Sequence, residues 1–258
     1  MRIGIPMSSS KTQFFINQAY VDYVVKAGFT PILFTQLCDV ENIVANNIDG
    51  LLLPGGIDLD PIYYGEDNNS SFSVDPEKDD FERKVFHLSR AKGIPIFGIC
   101  RGFQLIAREY LLINPEMEKF VEFSQHIGAH NQVDGQQLNR NVYQHFVEFM
   151  PKNLYNSELD EVHNMPVNSM HHQCLLVNFG KQGVIGAKNF RMVAWTKRGI
   201  KQEKKTELDY VCEAFKITKW GSRILAVQWH PEELLDLKLI ANFFLRKEKP
   251  KVSIETNS

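Results

Sequence analysis

Residues 94–104 read IPIFGICRGFQ, and this stretch decides the fold. An apolar run, Ile94 to Ile99, stops at a cysteine with glycine two residues to either side, Gly98-Ile99-Cys100-Arg101-Gly102. A stretch of helical character, Phe103 to Leu112, follows at once. G-x-C-x-G between a strand and a helix is the cysteine counterpart of the nucleophile elbow. Such a turn is sharp and strained, so glycine is needed where side chains would collide. It also sets the cysteine at a helix N-terminus, where free N–H groups favour a thiolate. Taken alone, the stretch fits a small buried cysteine closing a core strand equally well.

The C-terminal region separates the two readings. Residues 224–232 read ILAVQWHPE, a second apolar run ending in Gln228-Trp229-His230-Pro231-Glu232. A cysteine nucleophile needs a base, and the base needs a third group to orient it. His230 fits the base. Glu232 fits the orienter, because i and i+2 project to one side of an extended segment. Pro231 is expected to keep that segment rigid and non-helical.

Working outward, elements alternate. Strands are expected at Arg2–Pro6, Pro31–Phe34, Gly50–Leu53 and Ile94–Ile99, with helices at Asn17–Lys26, Val40–Ala45 and Asp75–Ala91. This βαβα rhythm predicts an α/β fold with a mostly parallel central sheet and helices on both faces. Beyond Phe146 the strands crowd together, at Phe146–Phe149, Leu175–Val177, Met192–Trp195, Val211–Ile217 and Ile224–Gln228. Strands without a helix between them pair most easily as antiparallel neighbours. A last helix is expected at Leu234–Phe244, before a polar tail at 246–258 with the composition of a disordered segment.

GICRGFQ, AVQWHPE and the earlier LLLPGGIDLDPIYYGE, in this order, resemble the class I glutamine amidotransferase superfamily. Within it they resemble the free-standing γ-glutamyl hydrolase branch, peptidase family C26, which includes γ-glutamyl-γ-aminobutyrate hydrolases. The resemblance runs from Met1 to about Leu245, one flavodoxin-like hydrolase domain with extra antiparallel strands. It implies a Cys100–His230–Glu232 set and an oxyanion hole made by the N–H groups of Gly56 and Arg101. Without it, Pro54-Gly55-Gly56 reads as a strand-ending turn. The segment Val167-Asn168-Ser169-Met170-His171-His172-Gln173 resembles the branch's V-N-S-x-H-x-Q. The resemblance therefore implies that Asn168, Ser169, Met170 and His171 help bind the α-amino and α-carboxylate groups of a γ-glutamyl substrate, and that Gln104 touches its glutamyl part. Gln104 also lies one helical turn from Cys100. The Arg101 side chain fits either a pairing with a substrate carboxylate or a solvated position. Asp75-Pro76-Glu77-Lys78-Asp79-Asp80-Phe81-Glu82 resembles the branch's D-P-x-x-D-x-F-E and reads mainly as helix N-terminal chemistry.

One stretch departs from the pattern. The family's glycine-rich A-x-G-G-x-L is replaced by Ile106-Ala107-Arg108-Glu109-Tyr110-Leu111-Leu112-Ile113. The polar segment 113–145 that follows is rich in Asn, Gln and His, and it is expected to shape the leaving-group pocket. His126 and His130 have chelating spacing on a helix. Gly128 between them weakens a helix, and a thiol nucleophile needs no metal or cofactor.

The bounds agree with this reading. A chain of 258 residues, 43% hydrophobic, with net charge −2 at pH 7, can bury one large core. The charge gives no general attraction to nucleic acid or membrane. No apolar run reaches the ~18 residues of a membrane span. The four cysteines, 38, 100, 174 and 212, are widely spaced and without C-x-x-C, as expected of a reducing cytoplasm. The implied function is hydrolysis of a small γ-glutamyl amide through a γ-glutamyl thioester, releasing glutamate and an amine. The alternatives are a glutaminase subunit feeding ammonia to a separate synthase, and a non-catalytic binding module on the same fold.

Overall fold

The structure is a computed structural model, described here for residues 1–71, 73–119, 121–125, 127, 139–155, 158, 161–177, 189–197 and 210–246. One sheet has eleven strands. In chain order they are β1 (Arg2–Pro6), β2 (Thr30–Phe34), β3 (Gly50–Leu53), β4 (Ile96–Ile99), β5 (Val121–Ser124), β6 (His145–Phe149), β7 (His163–Val167), β8 (Cys174–Val177), β9 (Phe190–Lys197), β10 (Tyr210–Trp220) and β11 (Ser222–Val227). The four longer helices are α1 (Gln18–Lys26), α2 (Pro76–Ala91), α3 (Arg101–Ile113) and α4 (Leu237–Phe244).

The main path runs β2-β1-β3-β4-β11-β10-β9-β6-β7, with β8 and β5 attached beside β10. Strands β2, β1, β3, β4 and β11 are parallel neighbours, and the remaining pairs are antiparallel. The expected division between a parallel half and an antiparallel half is therefore present. The long strand β10 joins the halves: it pairs with β9 along one edge, and with β8 and then β11 along the other.

The central parallel strands are buried on both faces, which is why GLLL and IFGI read as continuous apolar runs. Alternate residues feed separate cores. On one face Ile3, Leu52, Phe97 and Val227 meet α1 and α4 through Tyr20, Tyr23, Ile240 and Phe243. On the other, Leu51, Leu53, Ile96 and Ala226 meet α2 and α3 through Phe81, Val85, Phe103 and Ile106. Helix α2 starts as its sequence dictates. Pro76 takes the first helical position, and the Asp75 side chain accepts from Lys78 N.

Several boundaries differ from expectation. The helix from Val40 ends at Asn42 and widens into a π-helical turn over Ile43–Asn47. The last helix breaks at Leu235, whose φ of 52° is left-handed, so a short turn at Pro231–Leu234 precedes α4. Strands β5 and β7 were not expected. β7 carries Pro166, which removes a ladder donor and suits only an edge strand, and β7 lies at the sheet's end. A two-stranded hairpin at Ser8–Ser9 and Phe14–Phe15 also escapes a hydrophobic-pattern reading. The expected tail lies outside the described residues beyond Arg246.

Candidate active site

In an open parallel sheet, ligands gather at the carboxyl ends of the strands, where the strand order reverses. Here the order reverses at β1, which has β2 on one side and β3 on the other. Three neighbouring strands, β3, β4 and β11, end in register, with Leu53 opposite Gly98 and Ile99 opposite Val227. Pro54-Gly55-Gly56 follows the first, Cys100 the second and His230 the third. Stretches far apart in sequence therefore converge because their strands are adjacent.

Cys100 sits between β4 and α3 with φ 50° and ψ −102°. Positive φ is costly for a residue with a side chain, so the surroundings must hold it there. Its N–H donates to Val227 O at 2.8 Å, and its carbonyl accepts from Gln104 N at 3.1 Å. The close packing of the elbow explains Gly102: an added Cβ would lie 2.3 Å from the Leu53 carbonyl oxygen, which is backbone and cannot yield. Cys100 is 5% exposed, His230 4% and Glu232 1%.

His230 Nδ1 lies 2.6 Å from Glu232 Oε1, and the ring lies close to Cys100: a Cβ added at Gly55 would lie 3.0 Å from His230 Cε1 and 3.4 Å from Cys100 Cβ. Burial alone would push the imidazole pKa down. The Glu232 carboxylate and Cys100 overcome it and raise the value from 6.5 to about 10. Pro231 does not keep this segment extended, as the sequence reading expected. It occupies the first position of the Pro231–Leu234 helical turn, with His230 as N-cap. Proline suits that position because its missing N–H would be unpaired anyway. Glu232 thus reaches the histidine from a helical turn.

Gly56 and Arg101 are neighbours, since an added Cβ on Gly56 would lie 3.4 Å from Arg101 Cδ. Arg101 is the first helical residue of α3, so its N–H has no intrahelical acceptor. The adjacent Gly55 N–H donates to the Tyr20 hydroxyl at 2.9 Å. A Cβ at Gly55 would meet Tyr20 Oη at 2.6 Å and His230 Cε1 at 3.0 Å, so a larger residue would displace the Tyr20 hydroxyl and crowd the imidazole. Tyr20 was missed in the sequence. It belongs to the apolar stripe of α1 and reads as core. Burial pushes its pKa well above 10, and nearby Glu232 and Cys100 add to that.

The Arg101 side chain meets neither sequence expectation. It is 1% exposed and bonds Glu82 and Asp79, while Lys78 bonds Glu82. Asp79 also accepts from Asp60 N at 3.1 Å. The acidic first turns of α2 therefore tie the elbow helix to the loop after Gly56. Burial would raise the Glu82 pKa, but Arg101 and Lys78 hold it below the usual carboxylate range.

Gln104 and residues 168–173 do come together. Gln104 Nε2 donates to Gln173 O at 3.2 Å, and His171 Nδ1 lies 3.0 Å from the same oxygen. Ser169 N donates to Gln144 Oε1 at 2.7 Å, and Met170 is half-buried. The Gln173 amide bonds both N–H and O of Leu59 at 3.1 Å, clamping the loop after Gly56. His172 Nε2 lies 2.8 Å from Asp58 Oδ2, and that bond raises the His172 pKa. Asn168 turns elsewhere: its Oδ1 accepts from His230 N, and its Nδ2 donates to His230 O, both at 3.0 Å. The candidate chelating pair His126 and His130 lies outside the described residues. Among the described residues no helix is long and apolar enough to cross a membrane.

This sheet, with a cysteine elbow and a histidine beyond adjacent strands, defines a class I glutamine amidotransferase-like α/β protein. Within that class the Peptidase C26 family model matches residues 6–232, and the chain belongs to that family. At family level it is a glutamine amidotransferase-like hydrolase. A Schizosaccharomyces pombe protein named "putative glutamine amidotransferase" is 30% identical over 248 residues, covering 90% of this chain and 82% of its own length. The γ-glutamyl-γ-aminobutyrate hydrolase PuuD of Escherichia coli K12 is 25% identical over 222 residues, covering 84% and 78%. Among solved structures, PurLQS of Thermotoga maritima is similar at a TM-score of 0.53 and 12% identity, covering 95% of this chain and 99% of that one. That likeness concerns the fold alone.

Proposed function

We propose that residues 1–245 form one hydrolase domain that cleaves the γ-glutamyl amide bond of a small γ-glutamyl compound. The observation that carries this reading is the buried ring of His230, bonded to Glu232 and close to Cys100, at the aligned ends of β4 and β11. A histidine raised to about 10 is an imidazolium at neutral pH, and the form of Cys100 that reacts beside it is the thiolate. The thiolate attacks the γ-carbonyl carbon, and the N–H groups of Gly56 and Arg101 receive the oxyanion. His230 gives its proton to the leaving nitrogen, the amine departs and a γ-glutamyl thioester remains. Water then loses a proton to His230 and attacks the thioester. Glutamate leaves, and the thiolate–imidazolium pair is restored.

In this reading Gln104, Ser169, Met170 and His171 hold the common glutamyl end. The named activity of the E. coli relative supports a γ-glutamyl amide as substrate class. The test is a screen of γ-glutamyl amines, amides and peptides for glutamate release, with Cys100→Ala as blank. Release from γ-glutamyl amines supports the hydrolase. Release of ammonia from glutamine alone indicates a glutaminase that feeds a synthase. No turnover of any of them indicates a binding module.

A further inference from the structure

We propose that Asn168 is a positioning residue for His230, coupling the 168–173 segment to the base, and not itself a ligand of the substrate; this rests on the active-site reading above. Sheet pairing ends before the histidine. Strand β11 closes at Val227, and Gln228 N makes the last bond to the neighbouring strand, to Glu213 O at 2.7 Å. His230 then has φ −111° and ψ 81°, outside both helix and ladder, with no side-chain cap of its own. The side-chain amide of Asn168 takes the place of a strand neighbour. It accepts from His230 N and donates to His230 O, as an antiparallel partner would. The second amide hydrogen goes to Arg140 O at 2.8 Å. Both hydrogens are thus committed to backbone oxygens, and Asn168 is fully buried.

Arg140 pairs with Glu233, in the same turn as Glu232, so the clamp reaches that turn at two points. The other side of the clamp is the Ser169–Gln173 segment. Only asparagine supplies an acceptor and two donors in this shape. Among the described residues, losing it would leave the histidine backbone with one remaining bond, from Glu233 N at 3.3 Å. Small errors in the placement of a base are expensive: about 1 Å of misplacement costs on the order of 10²-fold in rate.

The test compares wild type with Asn168→Ala, Asn168→Asp, His230→Ala and the double variant Asn168→Ala/His230→Ala. Steady-state hydrolysis of a γ-glutamyl amide gives kcat and KM. Iodoacetamide alkylation of Cys100, located by peptide mass, gives a pH profile. The expected result is a fall in kcat of roughly 10–100-fold for both Asn168 variants, with KM nearly unchanged. The Cys100 alkylation profile should shift, and the double variant should be no slower than His230→Ala alone. Asn168→Asp keeps the volume and the acceptor, so it separates the clamp from simple loss of packing. In the wild type, slow hydrogen exchange at the His230 amide is expected, and this holds even if no variant folds. A raised KM with unchanged kcat and an unshifted alkylation profile would make Asn168 a substrate ligand and overturn the proposal. Fast exchange at the His230 amide would overturn it as well. Full activity of His230→Ala would instead remove the active-site reading on which the clamp depends.

Discussion

Two side chains, Cys100 and His230, are the proposed nucleophile and base, and each is held in a conformation its sequence neighbours do not favour. Cys100 is expected to be the residue that a glutamine-mimicking chloroketone alkylates, while Cys38, which is exposed, takes general thiol reagents. Cys100→Ser should abolish turnover and keep the fold, measured by activity and thermal melting. Labelling of another cysteine by the chloroketone would contradict this. His230 gives a pH prediction of definite sign. Its folded value of about 10 lies above the ordinary 6.5, so its contribution to stability is complete below 6.5. The contribution shrinks as pH rises and is gone above about 10. The stability gap between wild type and His230→Gln, read from urea unfolding, should therefore narrow from pH 6.5 to pH 10. A gap that widens with pH would show that the native imidazole is held neutral.

The same site was legible in the sequence only where an element announces its own end. G-x-C-x-G and the apolar runs before Cys100 and His230 mark strand ends, so the positions of these two candidate residues at the sheet's edge could be read from local pattern. Gly102 is a further local signal, explained by the Leu53 carbonyl 2.3 Å from its missing Cβ. Gly102→Ala should lower expression of folded protein and activity together, with a destabilisation of several kcal/mol on the scale of a forced backbone clash. Long-range pairings were not legible. Nothing near Asp79 or Glu82 says that they face Arg101, because acidic residues in a first helical turn already suit the helix dipole. A buried pair broken on one side costs about 3–5 kcal/mol. Glu82→Gln is therefore expected to destabilise by that order in chemical denaturation and to slow acylation through the displaced elbow. If Glu82→Gln matches wild type in both, the cluster neither stabilises the protein nor holds the oxyanion donors. Tyr20 was missed for the same reason, and the bonds of Asn168 to the His230 backbone were not legible either: both depend on partners from distant segments of the chain.

Across the whole molecule, the alternation of strands and helices was readable to Ile99, because each parallel strand is a short continuous apolar run between helices. The antiparallel half was readable in kind but not in order. Its strands β5 and β7 are only four and five residues long, and β7 carries a proline. The sheet's organisation nevertheless makes the central claim specific. Three adjacent strand ends bring the Pro54-Gly55-Gly56 loop, Cys100 and His230 to one edge, the arrangement that the proposed acyl transfer through the cysteine requires. The most direct measurement is intact-mass spectrometry, followed by peptide mapping, of protein quenched in acid during turnover of a γ-glutamyl anilide. The account predicts one glutamyl group per chain, on Cys100, absent from Cys100→Ser and released as glutamate when the protein is left at neutral pH. Steady hydrolysis of the anilide by a protein that never carries a glutamyl group on Cys100, or that carries it elsewhere, would contradict the account.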